Sequence, residues 1–256
     1  MVVLAAPPAP APLTYEVTRL VPAGPRWPLG CGPERPRSQC REVTISITAG
    51  TLAYLDEFLP EDDALVLARR HAAEVGGAAP VSPLTGATLR FTAAAIGARS
   101  VVEIGTGCGT SGIWLLRGMR PGGVLTSVDV EPEHQRLARA AFVAAGFGSS
   151  RYRLIGGLAL EVLPRLADAA YDMVLCDADR DESGDYLTAA LRLLRPGGIV
   201  IFNAALPGTT PGERMPTDAE ASAAAELREQ VRSDERLVPV LLPVGSGILA
   251  AVRQPG

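Results

Sequence analysis

Two acids, Glu103 in VVEIGTGCGTS (101–111) and Asp129 in VLTSVDV, stand at the ends of successive apolar runs, 26 positions apart. Glycines at 105, 107 and 109 follow the first acid and lead into a helix, and glycine there permits tight turning and close backbone approach to a ligand. Asp129, at the tip of the neighbouring strand, has the chemistry to accept both hydroxyls of a ribose. Glu103 suits a zwitterionic amino-acid group better than a pyrophosphate, because a carboxylate repels phosphate. A dinucleotide fingerprint wants G-x-G-x-x-G, whereas here Thr110 stands where the third glycine belongs and that glycine comes one residue early. The third cluster, CDADRDESGDY (176–186), falls where a fourth strand leaves its sheet, the end at which open α/β sheets bind ligands. Asp177 and Asp179 are placed there to face a cofactor, a cation or a substrate hydroxyl.

The elements that must hold these residues follow from periodicity. From Ser100 onward strand, loop and helix recur: SVVEI and a helix over 112–118, VLTSVDV and 133–145, YRLI and 159–166, YDMVLCDA and 186–194, GGIVIFN and 219–231. Short apolar strands alternating with helices imply a parallel sheet covered on both faces. The closing LVPVLLPVGSGILAAVRQ holds two apolar runs around Gly245-Ser246-Gly247, and so short a connection makes them antiparallel. Ahead of the sheet, DDALVLARRHAAEV (62–75) places Ala64, Leu65, Leu67, Ala68 and Ala72 on one helical face. PVSPLTG then reads as a loop, and 87–96 as a second helix. Residues 1–42 hold nine of the 22 prolines without periodicity and read as a disordered tail, leaving 43–256 as the domain.

Composition narrows the functions. A chain of 256 residues with 47% hydrophobic content can bury one large core, and a net charge of -4 gives no broad positive field for nucleic acid or an anionic membrane. A small molecule is the expected partner. No lysine occurs, which removes that residue as a base. Cys31, Cys40, Cys108 and Cys176 show neither disulfide nor zinc spacing and suit a reducing cytoplasm. The opening MVVLAAPPAPAPL lacks a basic leader and is broken by prolines, which argues against a signal peptide.

The segments PVSPLTG, VVEIGTGCGTSGIWLL, VLTSVDVEPEH, LALEVLPRL, DMVLCDADRDESGDY and LLRPGGIVIFN run in unbroken order over about residues 62–254. As a set they resemble the small-molecule O-methyltransferases of the caffeoyl-CoA and catechol type, above all those of actinobacteria. The resemblance implies a class I, Rossmann-like methyltransferase fold: a seven-stranded, mostly parallel sheet with an antiparallel C-terminal hairpin and helices on both faces. It also implies S-adenosylmethionine as cofactor, a small phenolic acceptor and a homodimer. By position, it puts Val81 in the loop at the mouth of the cofactor site, Glu103 on the amino-acid part, and Gly105, Thr106 and Gly107 in the turn. Ser111 adds a hydroxyl near the amino-acid part, Asp129 takes the ribose, and Ala159 and Leu160 border the adenine. Asp179 lines the cofactor pocket, while Asp177 and Asn203 face the acceptor.

Two departures bear on mechanism. Metal-dependent members hold a divalent cation with the first acid of the DAD motif and a consecutive Asp-Asn pair after the fifth strand. Here Asp177 and Asn203 remain but Phe202 stands where the paired acid belongs, so a metal centre is not expected. The family's lysine base falls at Arg180, and a guanidinium does not accept a proton near neutrality. Transfer is then in-line, with positioning as its main aid and Asp177 as the proton acceptor if one acts. His71 reads as a helix-surface residue within reach of the site, His134 as solvated, Cys108 and Cys176 as buried fillers, and Trp114 as core. Two other readings stand beside the methyltransferase: a nicotinamide-dependent oxidoreductase, opposed by the misplaced third glycine, and a cofactor binder that has lost its chemistry, suggested by Phe202 and Arg180.

Overall fold

In the computed structural model the chain divides into two units, Met1–Phe58 and Leu59–Gly256, and the elements that matter belong to the second. The structure describes residues 54, 55, 58–76, 78–206 and 217–255; the expected tail over 1–42, the boundary at 43, Cys31 and Cys40 lie outside the described residues.

Helix α1 (Asp63–Val75) starts where the Asp62 carboxylate accepts from the Leu65 amide, and it buries Ala64, Leu65, Ala68 and Ala72. Helix α2 (Pro83–Ala95) begins four residues before the expected 87, within PVSPLTG. Ser82 caps it by accepting from the Thr85 amide, and Pro83 sits in the first turn where a missing N–H costs nothing. The segment read as a loop is thus a capped helix start. Then come β1 (Ser100–Ile104), α3 (Thr110–Gly118), β2 (Val124–Asp129), α4 (Pro132–Ala144), β3 (Tyr152–Gly156) and α5 (Ala159–Val162). The chain continues with β4 (Tyr171–Cys176), α6 (Ser183–Leu193), β5 (Leu194–Asn203), α7 (Asp218–Ser233), β6 (Leu237–Leu242) and β7 (Ile248–Arg253). The helix expected over 159–166 stops at Val162 and tightens into a 3-10 turn, Leu163–Arg165, because Pro164 has no N–H to continue an α-helical ladder.

The seven strands form one sheet in the order β3-β2-β1-β4-β5-β7-β6. β1 to β5 pair in parallel, while β7 runs antiparallel to both β5 and β6, as the short Gly-Ser-Gly connection requires. Strand order reverses between β1 and β4, and the crevice beyond the carboxyl ends of strands at such a switch point is where ligands bind. Alternation splits the core into two layers. Val101, Leu125, Met173 and Ile201 pack with α1 to α4 on one face; Val102, Ile104, Val174 and Val200 pack with α6 and α7 on the other. Among the described residues no helix is long and apolar enough to cross a membrane.

The helix that enters the site from the glycine turn is locked by close approach. A Cβ at Gly86 of α2 would fall 2.2 Å from the buried Trp114 ring of α3, and one at Gly118 would fall 2.3 Å from the Arg90 carbonyl. Replacing Gly86 by valine therefore overpacks the α2–α3 contact and is expected to destabilise the fold by about 3 kcal/mol. Urea unfolding should show this as a lower midpoint at an unchanged slope; a wild-type midpoint would mean that the indole moves aside.

Candidate active site

The turn after β1 uses left-handed backbone at Gly105 (φ 93°), Gly107 (φ 46°) and Gly109 (φ 93°). Gly105 also tolerates no side chain, since a Cβ there would meet the Asp177 carbonyl at 2.2 Å. The Gly105 amide donates to the Val128 carbonyl at 2.9 Å and the Asp177 amide to the Ile104 carbonyl at 2.8 Å, so β2, β1 and β4 stay zipped up to the crevice. The amides of the turn are not left free. Those of Thr106 and Gly107 both donate to Asp129 Oδ2 at 2.9 Å, and that of Glu131 donates to Asp129 Oδ1 at 2.9 Å. Three of the roughly four acceptor positions of this carboxylate are thereby filled by backbone, so it presents about one direction to a ligand.

Glu103 lies deeper than its spacing implies. In the parallel register it stands beside Ser127, so both side chains leave the same face of the sheet. Ser127 Oγ donates to Glu103 Oε2 at 2.6 Å and lies 2.7 Å from Thr106 Oγ1, which closes the floor over the acid. Glu103 is fully buried, and its Oε1 makes no hydrogen bond within the protein. Burial pushes its pKa up to about 8, against the pull of the Ser111 and Ser127 hydroxyls and with the help of the nearby Asp177 and Asp129 charges.

A cleft of about 500 Å³ opens above this floor. Of the residues expected in a cofactor site, Val81, Gly105, Thr106, Gly107, Ser111, Asp129, Ala159 and Asp179 line it, and so do Asp177 and Asn203 at the other end. Two do not. Glu103 sits beneath the floor, and Leu160 turns away to pack against the α6–α7 layer, with Gly157 and the half-exposed Leu158 on the wall beside Ala159. At the β4 end, Asn203 Nδ2 donates to Asp177 Oδ1 at 2.9 Å, while Asn203 Oδ1 is buried without a partner. Burial raises the pKa of Asp177, opposed by the Asn203 hydrogen bond and the Arg180 guanidinium. Asp179 folds back to accept from the Asp181 amide at 3.0 Å. The Tyr186 hydroxyl donates to Glu182, and both residues line the cleft.

Phe202 faces the other way from Asn203, as neighbours on a strand must, and is buried in the apolar layer with Cys176 and Leu227. His71 does not reach the cleft; its Nδ1 is buried without a partner. His134, expected in solvent, instead lines the cleft with a side chain only 13% exposed, and its Nδ1 lies 3.6 Å from Asp129 Oδ1. The signal was present in the spacing: Pro132 opens α4, so His134 lies in its first turn, where side chains lean back toward the preceding strand tip. Cys108, Cys176 and Trp114 are buried, and desolvation raises both thiol pKa values.

Comparison with known proteins identifies the family. A family model described as O-methyltransferase matches residues 61–254. A Mycobacterium tuberculosis protein (strain H37Rv) named as a probable O-methyltransferase is 49% identical over 201 residues, 78% of this chain and 89% of the relative. Among solved structures, the O-methyltransferase of Streptomyces achromogenes involved in tomaymycin synthesis, in complex with SAM, is 27% identical with a TM-score of 0.68, covering 80% of this chain and 95% of that one. An O-methyltransferase from Bacillus cereus in complex with SAH is 28% identical at the same TM-score of 0.68, covering 79% and 96%. A family match over most of the second unit, with a relative 49% identical, establishes that this chain belongs to the O-methyltransferase family.

Proposed function

We propose that the chain moves the methyl group of S-adenosylmethionine to a hydroxyl oxygen of a small acceptor, an acidic phenol for preference, with Asp177 as proton acceptor and no divalent cation. The observation that carries this reading is the convergence of Asp129 and Asp177, from the strands on either side of β1, on one cleft whose floor conceals Glu103. Relatives solved with SAM and SAH supply the donor's identity. The residues fit it. Asp129 offers an acceptor direction for a ribose hydroxyl, a side chain at Gly107 would enter the cleft beside Ala78, and the orphaned Glu103 Oε1 lies behind Ser111 where an ammonium would satisfy it. When bound, the donor supplies a methyl on a positively charged sulfur. Its positive charge suits a cleft lined by Asp129, Asp177 and Asp179 among other acids.

The family's metal centre does not fit. Asp177 is already bonded to Asn203, and the neighbouring position is a phenyl ring committed to the core. What the chain itself offers the acceptor is placement: the Asn203 Oδ1 and the second carboxylate oxygen of Asp177 both accept, and a hydroxyl set between them is oriented and can shed its proton to Asp177. Methyl transfer to oxygen also leaves no role for a nicotinamide, so the oxidoreductase reading is set aside.

Three outcomes test this. D177N should lower kcat by about 10²-fold or more and leave SAH affinity within about twofold, measured with labelled donor across a panel of phenols and by calorimetric titration; full activity in D177N would remove the proton-acceptor assignment. Chelator should leave the wild-type rate unaltered, whereas strong magnesium stimulation abolished by chelator would overturn the metal argument. The third concerns Glu103, protonated in the ligand-free protein at neutral pH because its pKa stands near 8. An ammonium placed against it favours the carboxylate, so binding expels a proton and SAH affinity should rise as pH climbs from 6 toward 8. E103Q, neutral throughout, should flatten that rise; an equal slope in both proteins would separate Glu103 from the amino-acid end.

A further inference from the structure

His134 stands between two parts of the cleft, the Gly76 end of the α1–α2 connection and Asp129 at the tip of β2. Its Nε2 faces the Gly76 carbonyl at 3.4 Å, and because a carbonyl only accepts, Nε2 carries the hydrogen. Its Nδ1 faces Asp129 Oδ1 at 3.6 Å, beyond hydrogen-bond reach but within ion-pair distance when the ring is charged. Gly76 caps α1 with a positive φ of 68° and opens the α1–α2 connection, whose residues Ala78, Ala79, Pro80 and Val81 form one wall of the cleft. The far end of that connection is tied separately: Arg69 donates to the Val81 carbonyl at 2.6 Å and pairs with Glu61. The wall is therefore pinned at both ends, once by a guanidinium behind it and once by an imidazole that looks into the cleft.

Asp129 Oδ1 already accepts from the Glu131 amide without His134, and His134 lies in the first turn of α4, outside both apolar layers. Its neighbour Glu133 is exposed and paired with Arg136, and it reaches His134 only through charge, so the near contacts of the ring described are Asp129 and Gly76. We infer that His134 is a positioning residue for the methyl donor: it latches the α1–α2 connection to the carboxylate that receives the nucleoside end, and so keeps the cofactor half of the cleft shut. This rests on the donor-binding reading above. Residence of the donor should depend on the latch, whereas the chemistry beside Asp177 should not.

The test is SAH titration of the full chain together with KM for S-adenosylmethionine and kcat. H134A is expected to weaken SAH and raise KM about tenfold, with kcat changed less than twofold. H134Q, whose amide reaches as far as Nε2 and keeps the donor to Gly76 without the charge toward Asp129, should recover part of the affinity; H134N, too short for Gly76, should recover less. Thermal melting of the ligand-free variants within a few degrees of wild type separates a latch from a structural role, and if H134A fails to fold, the Gln and Asn pair gives the same comparison. Wild-type affinity in H134A, or H134Q as weak as H134N, overturns the inference alone. A wild-type protein that binds no SAH overturns the donor assignment, and this inference with it.

Discussion

A left-handed glycine turn exposes its amides and must find them a partner, and here the partner is the carboxylate at the tip of the next strand. The two N–H groups of Thr106 and Gly107 close on one oxygen of Asp129, and most of the site follows from that junction. Ile104 sits opposite Val128 in the parallel register, so the first residue past β2's last shared rung is the acid, held where the turn must bend across it. On the opposite side of β1 the Gly105 position presses on the Asp177 backbone so closely that only hydrogen fits. Three strand tips thus meet around one glycine turn, and two of them deliver an acid to the same cleft.

Much of this was readable in the residues, because it depends on local pattern. The alternation of apolar runs with helices set the parallel strands, the short connection around Gly245-Ser246-Gly247 set the antiparallel pair, and Asp129, Asp177 and Asn203 each stand at a strand end that topology carries to the switch point. What was not readable depends on direction and depth. Leu160 and Ala159 are sequence neighbours on a short helix, yet only one faces the cleft, and nothing in LALEVLPRL tells which. Glu103 could be assigned a strand end but not a lid of hydroxyls, since Ser127 comes beside it only through pairing between strands 24 positions apart. The start of α2 was legible after all in Ser82 and Pro83, where turn-forming prolines masked a cap.

The acids explain why such a cleft suits a cationic ligand. Glu103 and Asp177 are both pushed toward their neutral forms by burial, and for Glu103 the neighbouring Asp177 and Asp129 charges add to the push. Such crowding costs stability in the ligand-free protein, and a positively charged sulfur or ammonium relieves it. A sulfonium or ammonium set beside these acids would favour their charged forms, so the charge of the donor contributes to its binding.

Phe202 completes the logic from the other face of β5. Its ring lies among Cys176, Tyr186 and Leu227, opposite Leu249 on β7, in the apolar layer rather than the cleft. A carboxylate at that position would be stripped of water, a cost of several kcal/mol unless a charged partner met it, whereas the phenyl ring packs there as core. Asn203, on the opposite face of the strand, sets its amide on Asp177 at 2.9 Å. In the proposed mechanism that hydrogen bond fixes the Asp177 carboxylate, whose pKa burial raises, as the group that takes the acceptor's proton.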